Sequence, residues 1–202
     1  MAKNKKTTTS VATADREFVL ATAAKLFRKS GYERTTVKQV AEACSMLPGS
    51  LHYRYNSKEA LLIDMMQLGL MRASEALLSS FDPTDTPAEQ LRHGVNAHLR
   101  VLVSDSDMVY ALLFEWRSLK GDARREIVRL RDRYEQLWAG MLTLLVERKV
   151  IRPDVDLVLL RLMGLGALNW VATWFHSDGR YSLEDVGDFV WRIIMDAVIV
   201  KK

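Results

Sequence analysis

A single cysteine, Cys44, stands among 202 residues, so no internal disulfide can form and the chain suits a reducing interior. Long apolar runs are also missing. No stretch reaches the roughly 18 uninterrupted apolar residues that suggest a membrane span. The opening MAKNKKTTTSVATAD carries charge with no apolar segment behind it, which argues against a secretory signal and makes a cytoplasmic protein without membrane partners the expectation. The four histidines, His52, His93, His98 and His176, are scattered, and no Cys/His spacing suggests zinc. No glycine loop precedes a lysine, no dinucleotide fingerprint follows a strand, and no nucleophile elbow is present. No metal, no cofactor and no enzymatic activity is expected. Alternating strand patterns and repeats of fixed period are absent as well, which leaves an all-α fold.

What is present is ordinary in amount and uneven in placement. Hydrophobic content of 49% and charged content of 27% fit a globular chain long enough for one sizeable domain or two small ones. Residues 1–58 hold 11 Lys and Arg against 4 Asp and Glu, whereas 59–202 hold 18 against 21. Basic charge gathered at one end is the footprint of a nucleic-acid-binding module.

Residues 1–13 are small, polar and basic, without periodicity, and are expected to form a disordered arm. From Ala14 the pattern turns helical, with Phe18, Val19, Ala23, Leu26 and Phe27 near one face and Gly31 closing the helix. A second helix opens at Thr35 or Thr36, where Thr36 and Gln39 form a capping box, and it ends near Cys44. A third starts with Pro48 at its first position and is about two turns long. Around its one apolar residue, Leu51, it carries Ser50, His52, Tyr53 and Arg54, a surface suited to recognition rather than to packing. Ser57 is an N-cap for a long helix to about Ser80, with Lys58 in its first turn, where a bound phosphate would offset the unfavourable macrodipole. FDPTDTP, residues 81–87, is a linker, followed by helices near 88–104, 107–119, 122–148, 154–176 and 182–199.

A short second helix whose first residues reach base edges, preceded by a helix across the backbone, is the helix-turn-helix arrangement. The contact candidates are Thr36 and Lys38 on the first helix, Pro48, Gly49, Ser50, His52, Tyr53 and Arg54 on the second, and Lys58 beyond. The stretches AAKLFRKSGYERTTVKQVAEA and GSLHYRYNSKEALL resemble the TetR family of transcriptional regulators. The resemblance implies a helix-turn-helix DNA-binding domain over residues 14–56 and a ligand-binding and dimerisation domain over 57–202, about nine helices in all. It also implies a homodimer that binds a double-stranded operator and leaves it when a small molecule binds. Ser45 and Leu47 depart from the family's turn glycine and polar cap, Pro48 from its common lysine, and His52 from its usual aromatic.

In the second half, VDLVLLRLMGLGALNWVATWFH is apolar around nearly its whole circumference, so that helix needs two neighbours. Gly164 and Ala167, with Phe189, Ile193 and Ala197 of the last helix, are candidates for a four-helix dimer seam. Trp116, Trp138, Trp170 and Trp174, with Met141 and Met163, are candidates for the walls of a ligand pocket. Arg161 and Asn169 need polar partners inside that apolar helix; for Arg161 an internal carboxylate, Glu115 or another, is favoured over a ligand anion. FEWRSL, an arginine-rich helix and ALNW loosely resemble the TetR branch that responds to acyl-coenzyme A thioesters of steroid and fatty-acid breakdown. A drug-like effector and control of efflux is the alternative, and an architectural DNA binder or an enzyme the more distant ones.

Overall fold

The computed structural model describes residues 4–104 and 106–200, with side chains from residue 15 onward. Among these residues the regular structure is helical: α1 Asn4–Ser30, α2 Val37–Ala43, α3 Pro48–Arg54, α4 Lys58–Ser79, α5 Pro87–Ser104, α6 Ser106–Phe114, α7 Gly121–Glu147, α8 Leu157–Trp174 and α9 Leu183–Val198. A 3₁₀ turn, Glu115–Ser118, follows α6. The only extended pairing among them is an isolated antiparallel bridge between Ile151 and Ile199.

Several element boundaries differ from expectation. Of the expected disordered arm, residues 1–3 lie outside the described residues, and from Asn4 the backbone is continuous with α1. The sequence holds no glycine or proline before Gly31, so nothing breaks the hydrogen-bond ladder earlier. α8 begins at Leu157 because Asp156 caps it, accepting from the N–H groups of Val158 and Leu159 at 2.9 and 3.0 Å. The expected division at residue 57 falls at the start of α4. Contacts group residues 1–69 with 107–127, and 70–106 with 128–202, so α4 and α7 each contribute to both units.

In the first unit α1 buries Val19, Leu20, Ala23, Ala24 and Phe27, α2 buries Val40 and Ala41, and α4 buries Leu61, Leu62, Met65 and Met66. Leu51 of α3 is fully buried among them. Burial of one leucine contributes about 2 kcal/mol, which a seven-residue helix needs because it cannot stand alone. Gly31 closes α1 with a φ of +83°, and Ser45 takes a φ of +56° in the turn between α2 and α3, a conformation that glycine adopts more cheaply. The segment 107–127 joins this unit because Asp107 pairs with Arg28 at 3.0 Å, Tyr110 lies under the same guanidinium, and Glu126 accepts from Gln67 at 2.7 Å.

In the second unit α5 packs on α8 and α9. Its face of Leu91, Val95, Leu99 and Leu102 meets a core that includes Leu168, Val171, Val186, Met195 and Val198. The α5–α9 contact is tied by Arg92 on Asp188 at 2.7 Å and by the Trp191 indole N–H on the Ala88 carbonyl at 3.2 Å. Gly94 permits a close approach: a methyl group there would meet Leu77 at 2.9 Å and Met141 at 3.1 Å.

Candidate DNA-binding surface and internal cavity

The first unit presents one polar face. Thr36 caps α2 as a capping box with Gln39, its Oγ1 accepting from the Gln39 N–H at 3.2 Å while its own N–H donates to Gln39 Oε1 at 2.8 Å. That box fixes the entry to α2 and leaves Thr36 and Lys38 exposed. On α3, Pro48, Gly49, Ser50, His52, Tyr53 and Arg54 all face solvent, Tyr53 at 96% exposure, while Leu51 alone points inward. The structure therefore brings eight of the nine candidate contacts to an accessible surface.

Lys58 is placed differently. Its ammonium donates to the carbonyls of Tyr32 and Glu33 at 3.0 and 2.8 Å, pairs with the Glu33 carboxylate at 3.3 Å, and lies 4.5 Å from the centre of the Tyr32 ring. It ties the start of α4 to the turn after α1. Burial, with the negative charges of Glu59 and Glu33, pushes the Tyr32 phenol up to about 12. At the far end of α3, Tyr55 donates to Asp64 at 2.6 Å, and Arg16 donates to the same carboxylate at 2.5 and 3.1 Å. Burial alone would raise the Asp64 carboxyl, but those hydrogen bonds outweigh it and hold it below its usual range. α3 is thus clamped on α1 and α4 from behind, with its polar face outward.

The second unit carries a partly open cavity of about 30 Å³ lined by Leu91, Val95, Trp138, Leu142, Leu160, Arg161, Gly164, Leu165, Leu168, Trp191 and Ile194. Arg161 pairs with Glu135 of α7 at 3.4 Å, so its partner is an internal carboxylate, though not Glu115. The Arg161 Nε–H is buried without a hydrogen-bond partner. Behind Trp138 lies a buried polar chain in which His98 contacts the Tyr134 hydroxyl at 2.5 Å and Asn169 Oδ1 at 3.2 Å. Both contacts are satisfied when Tyr134 donates to His98 Nδ1 and Nε2–H donates to Asn169. Burial pushes His98 down to about 4 and raises the Tyr134 phenol, so both are neutral at pH 7.

The other candidate pocket residues are distributed unevenly. Met141 lies against Gly94, one turn from Trp138, without lining the cavity. Met163, Trp170 and Trp174 are on the opposite, exposed side of α8, with Met163 at 74% and Trp170 at 64% exposure. There they join Ala167, and α9 presents Phe189, Ile193 and Ala197 outward. Gly164, expected in a dimer seam, sits a quarter turn from that stripe, where it faces Ile194 and lines the cavity. Trp116 lies in the first unit, stacked with Arg117 and Arg124 at 4.9 and 5.2 Å.

Residues 19–65 match the model of the bacterial regulatory proteins, tetR family, and residues 84–198, more than half the chain, match the tetracyclin repressor-like C-terminal domain. The chain belongs to the TetR family. It is a DNA-binding transcriptional regulator. A fatty acid metabolism regulator protein of Bacillus subtilis is 21% identical over 89% of this chain and 93% of its own. The HTH-type transcriptional repressor KstR2 of Rhodococcus jostii is 26% identical over 94% of each. Among solved structures, AibR in complex with isovaleryl coenzyme A and operator DNA superposes with a TM-score of 0.78 at 30% identity, covering 89% of this chain and 97% of that one.

One helix of this TetR protein, Leu157–Trp174, is long and apolar enough to cross a membrane by composition, and 11% of it is buried within the chain. Arg161, paired in the interior, and Asn169, bonded to His98, mark its other side as a core face. Sequence reasoning passed over His98, Tyr134 and Glu135. The signal for His98 was its register: it falls on the same α5 face as Leu91, Val95 and Leu102.

Proposed function

We propose that this TetR regulator represses transcription by holding a palindromic operator as a homodimer, and that an acyl-coenzyme A thioester releases it. The observation that carries the effector class is the apolar cavity of the second unit with one arginine in its wall, in a chain 30% identical to a protein solved with isovaleryl coenzyme A and operator DNA. Apolar walls suit an acyl chain. At about 30 Å³ the cavity holds one water-sized group, so an acyl chain must push its walls apart. That displacement is the signal. α4 starts at Lys58 in the DNA-binding unit and reaches Leu77, against the Gly94 close approach, in the other.

On DNA, Thr36 and Lys38 hold the backbone, and Pro48, Gly49, Ser50, His52, Tyr53 and Arg54 address the major groove. Lys58 acts indirectly, by fixing the start of α4. The exposed stripe of α8 and α9 forms the dimer seam, which sets two α3 helices about 34 Å apart, one turn of the duplex. A ligand that binds only a mismatched spacing lowers operator occupancy by its differential affinity, and a coupling of about 1–3 kcal/mol changes affinity roughly 5–150-fold. No reaction is assigned: the thioester leaves the protein unchanged, in the cytoplasm where the operator is.

The test is an operator-binding titration with and without isovaleryl-, octanoyl- and palmitoyl-CoA. At least one should weaken binding fivefold or more and be recovered intact. Equal operator affinity with every thioester, and no calorimetric heat for any, would remove the effector class.

A further inference from the structure

We infer that Leu47, at the head of α3, reads thymine in the operator by packing on its C5 methyl group, and that Gly49 beside it lets the helix close on the base edges. The inference rests on the placement of α3 in the major groove proposed above and concerns what kind of base edge this end of the helix recognises. Leu47 is 77% exposed, the most exposed leucine among the described residues. Its carbonyl accepts from the N–H groups of Ser50 and Leu51 at 3.0 and 3.4 Å, so its backbone is held while its side chain stands in water. Within the chain a leucine there does little. The N-cap position favours Ser, Thr, Asp or Asn, and Leu47 makes no side-chain cap.

Gly49 is the second such residue. Its φ lies outside the left-handed region, and a methyl group built on it would meet no atom of the chain within 4 Å. Glycine weakens a helix, and here neither backbone geometry nor packing calls for it. Two residues that serve the fold poorly, at the same end of the recognition helix, are both accounted for by a surface that arrives from outside. The chemistry of this end narrows what that surface presents. Leu47, Pro48 and Gly49 carry no side-chain donor or acceptor, so they cannot address N7, O6 or an amino group through a side-chain hydrogen bond. The apolar group that base pairs show in the major groove is the thymine methyl. Leu47 stands one turn before Ser50 and two before Arg54, both exposed, so the stripe runs from an apolar head to polar groups suited to other base edges and to phosphate.

The test starts from duplexes that the purified full chain selects from a random library. Each thymine of the selected half-site is replaced in turn by deoxyuridine, which lacks only the methyl group, and affinities are compared at one salt concentration. One position should lose about fourfold per half-site, the worth of one methyl group withdrawn from water. Leu47→Ser should bind the thymine and uracil duplexes equally at that position and melt no lower than wild type, since serine caps the helix. Gly49→Ala should also melt no lower, yet bind the operator about tenfold more weakly, the effect of one overpacked methyl group against the base edges. A selected half-site without thymine, no loss on any uracil substitution, or the same loss in Leu47→Ser overturns the reading of the methyl group by Leu47. Unchanged or tighter binding by Gly49→Ala overturns the close approach. If Ser50→Ala and Arg54→Ala also leave operator affinity unchanged, α3 is not in the groove, and the reading on which this inference rests falls with it.

Discussion

His98 is the residue whose chemistry is most altered by its place in the fold. Burial holds its pKa near 4, against an ordinary value of 6.5, so the folded protein favours the neutral ring. A depressed pKa contributes stability that is complete above pH 6.5 and is lost as the pH falls toward 4, in total roughly 3 kcal/mol. Denaturant unfolding at pH 7 and pH 5 should therefore show wild type losing about 2 kcal/mol more than His98→Gln, whose amide does not titrate. Parallel losses in the two proteins would mean that His98 does not carry this dependence. The residue-level sites were legible where backbone chemistry dictates them: the Thr36–Gln39 box, Gly31 at a helix end and Pro48 at a helix start are local rules, and the structure contains all three. Partnerships between distant residues were not legible. Glu135 lies 26 positions from Arg161, and Tyr134 lies 36 from His98, so only the packing of α5, α7 and α8 reveals which groups meet.

Among the elements, the start of α4 departs most from its sequence reading. A lysine in the first turn opposes the helix dipole, and a phosphate was the expected remedy. The structure supplies another: the exposed carbonyls after α1, where Tyr32 and Glu33 accept from the ammonium. The sequence offers no cue to this, because the turn after α1 and the start of α4 meet only once α2 and α3 have folded between them. Lys58→Ala should accordingly lower the stability of the protein by about 1–2 kcal/mol, the value of a charged hydrogen-bonded group, and weaken operator binding through loosened α3 placement. The salt dependence of that binding separates the two roles. An unchanged slope of log affinity against log salt fits the structural tie, whereas a slope flatter by about one unit would return Lys58 to phosphate contact. Helix positions, in contrast, were readable almost throughout from apolar periodicity and from Gly, Pro, Asp and Ser at the ends. The exception of α6 has a physical reason: its last turn tightens to a 3₁₀ turn at Glu115–Ser118 within a run that shows no breaker until Gly121.

For the molecule as a whole, the dimer seam proposed on the apolar stripe of α8 and α9 would link folding to self-association. A subunit that leaves Met163, Trp170, Phe189 and Ile193 in water gains by covering them with a second copy, so its melting temperature should rise with protein concentration. Phe189→Arg should remove that dependence, give a monomer in sedimentation, and weaken binding to the full palindrome more than to a half-site. A concentration-independent melt in wild type would contradict the seam. All-α architecture and the helix-turn-helix were legible because each rests on local pattern. The grouping of segment 107–127 with the first unit was not, because it comes through Arg28–Asp107, a pairing without a sequence signature. The neutral chain of Tyr134, His98 and Asn169 bears on the regulator's fidelity as an instrument. His98 and Tyr134 both stay neutral from pH 5 to pH 8, so an effector held in the cavity as proposed above would meet no change of charge from these two groups across that range.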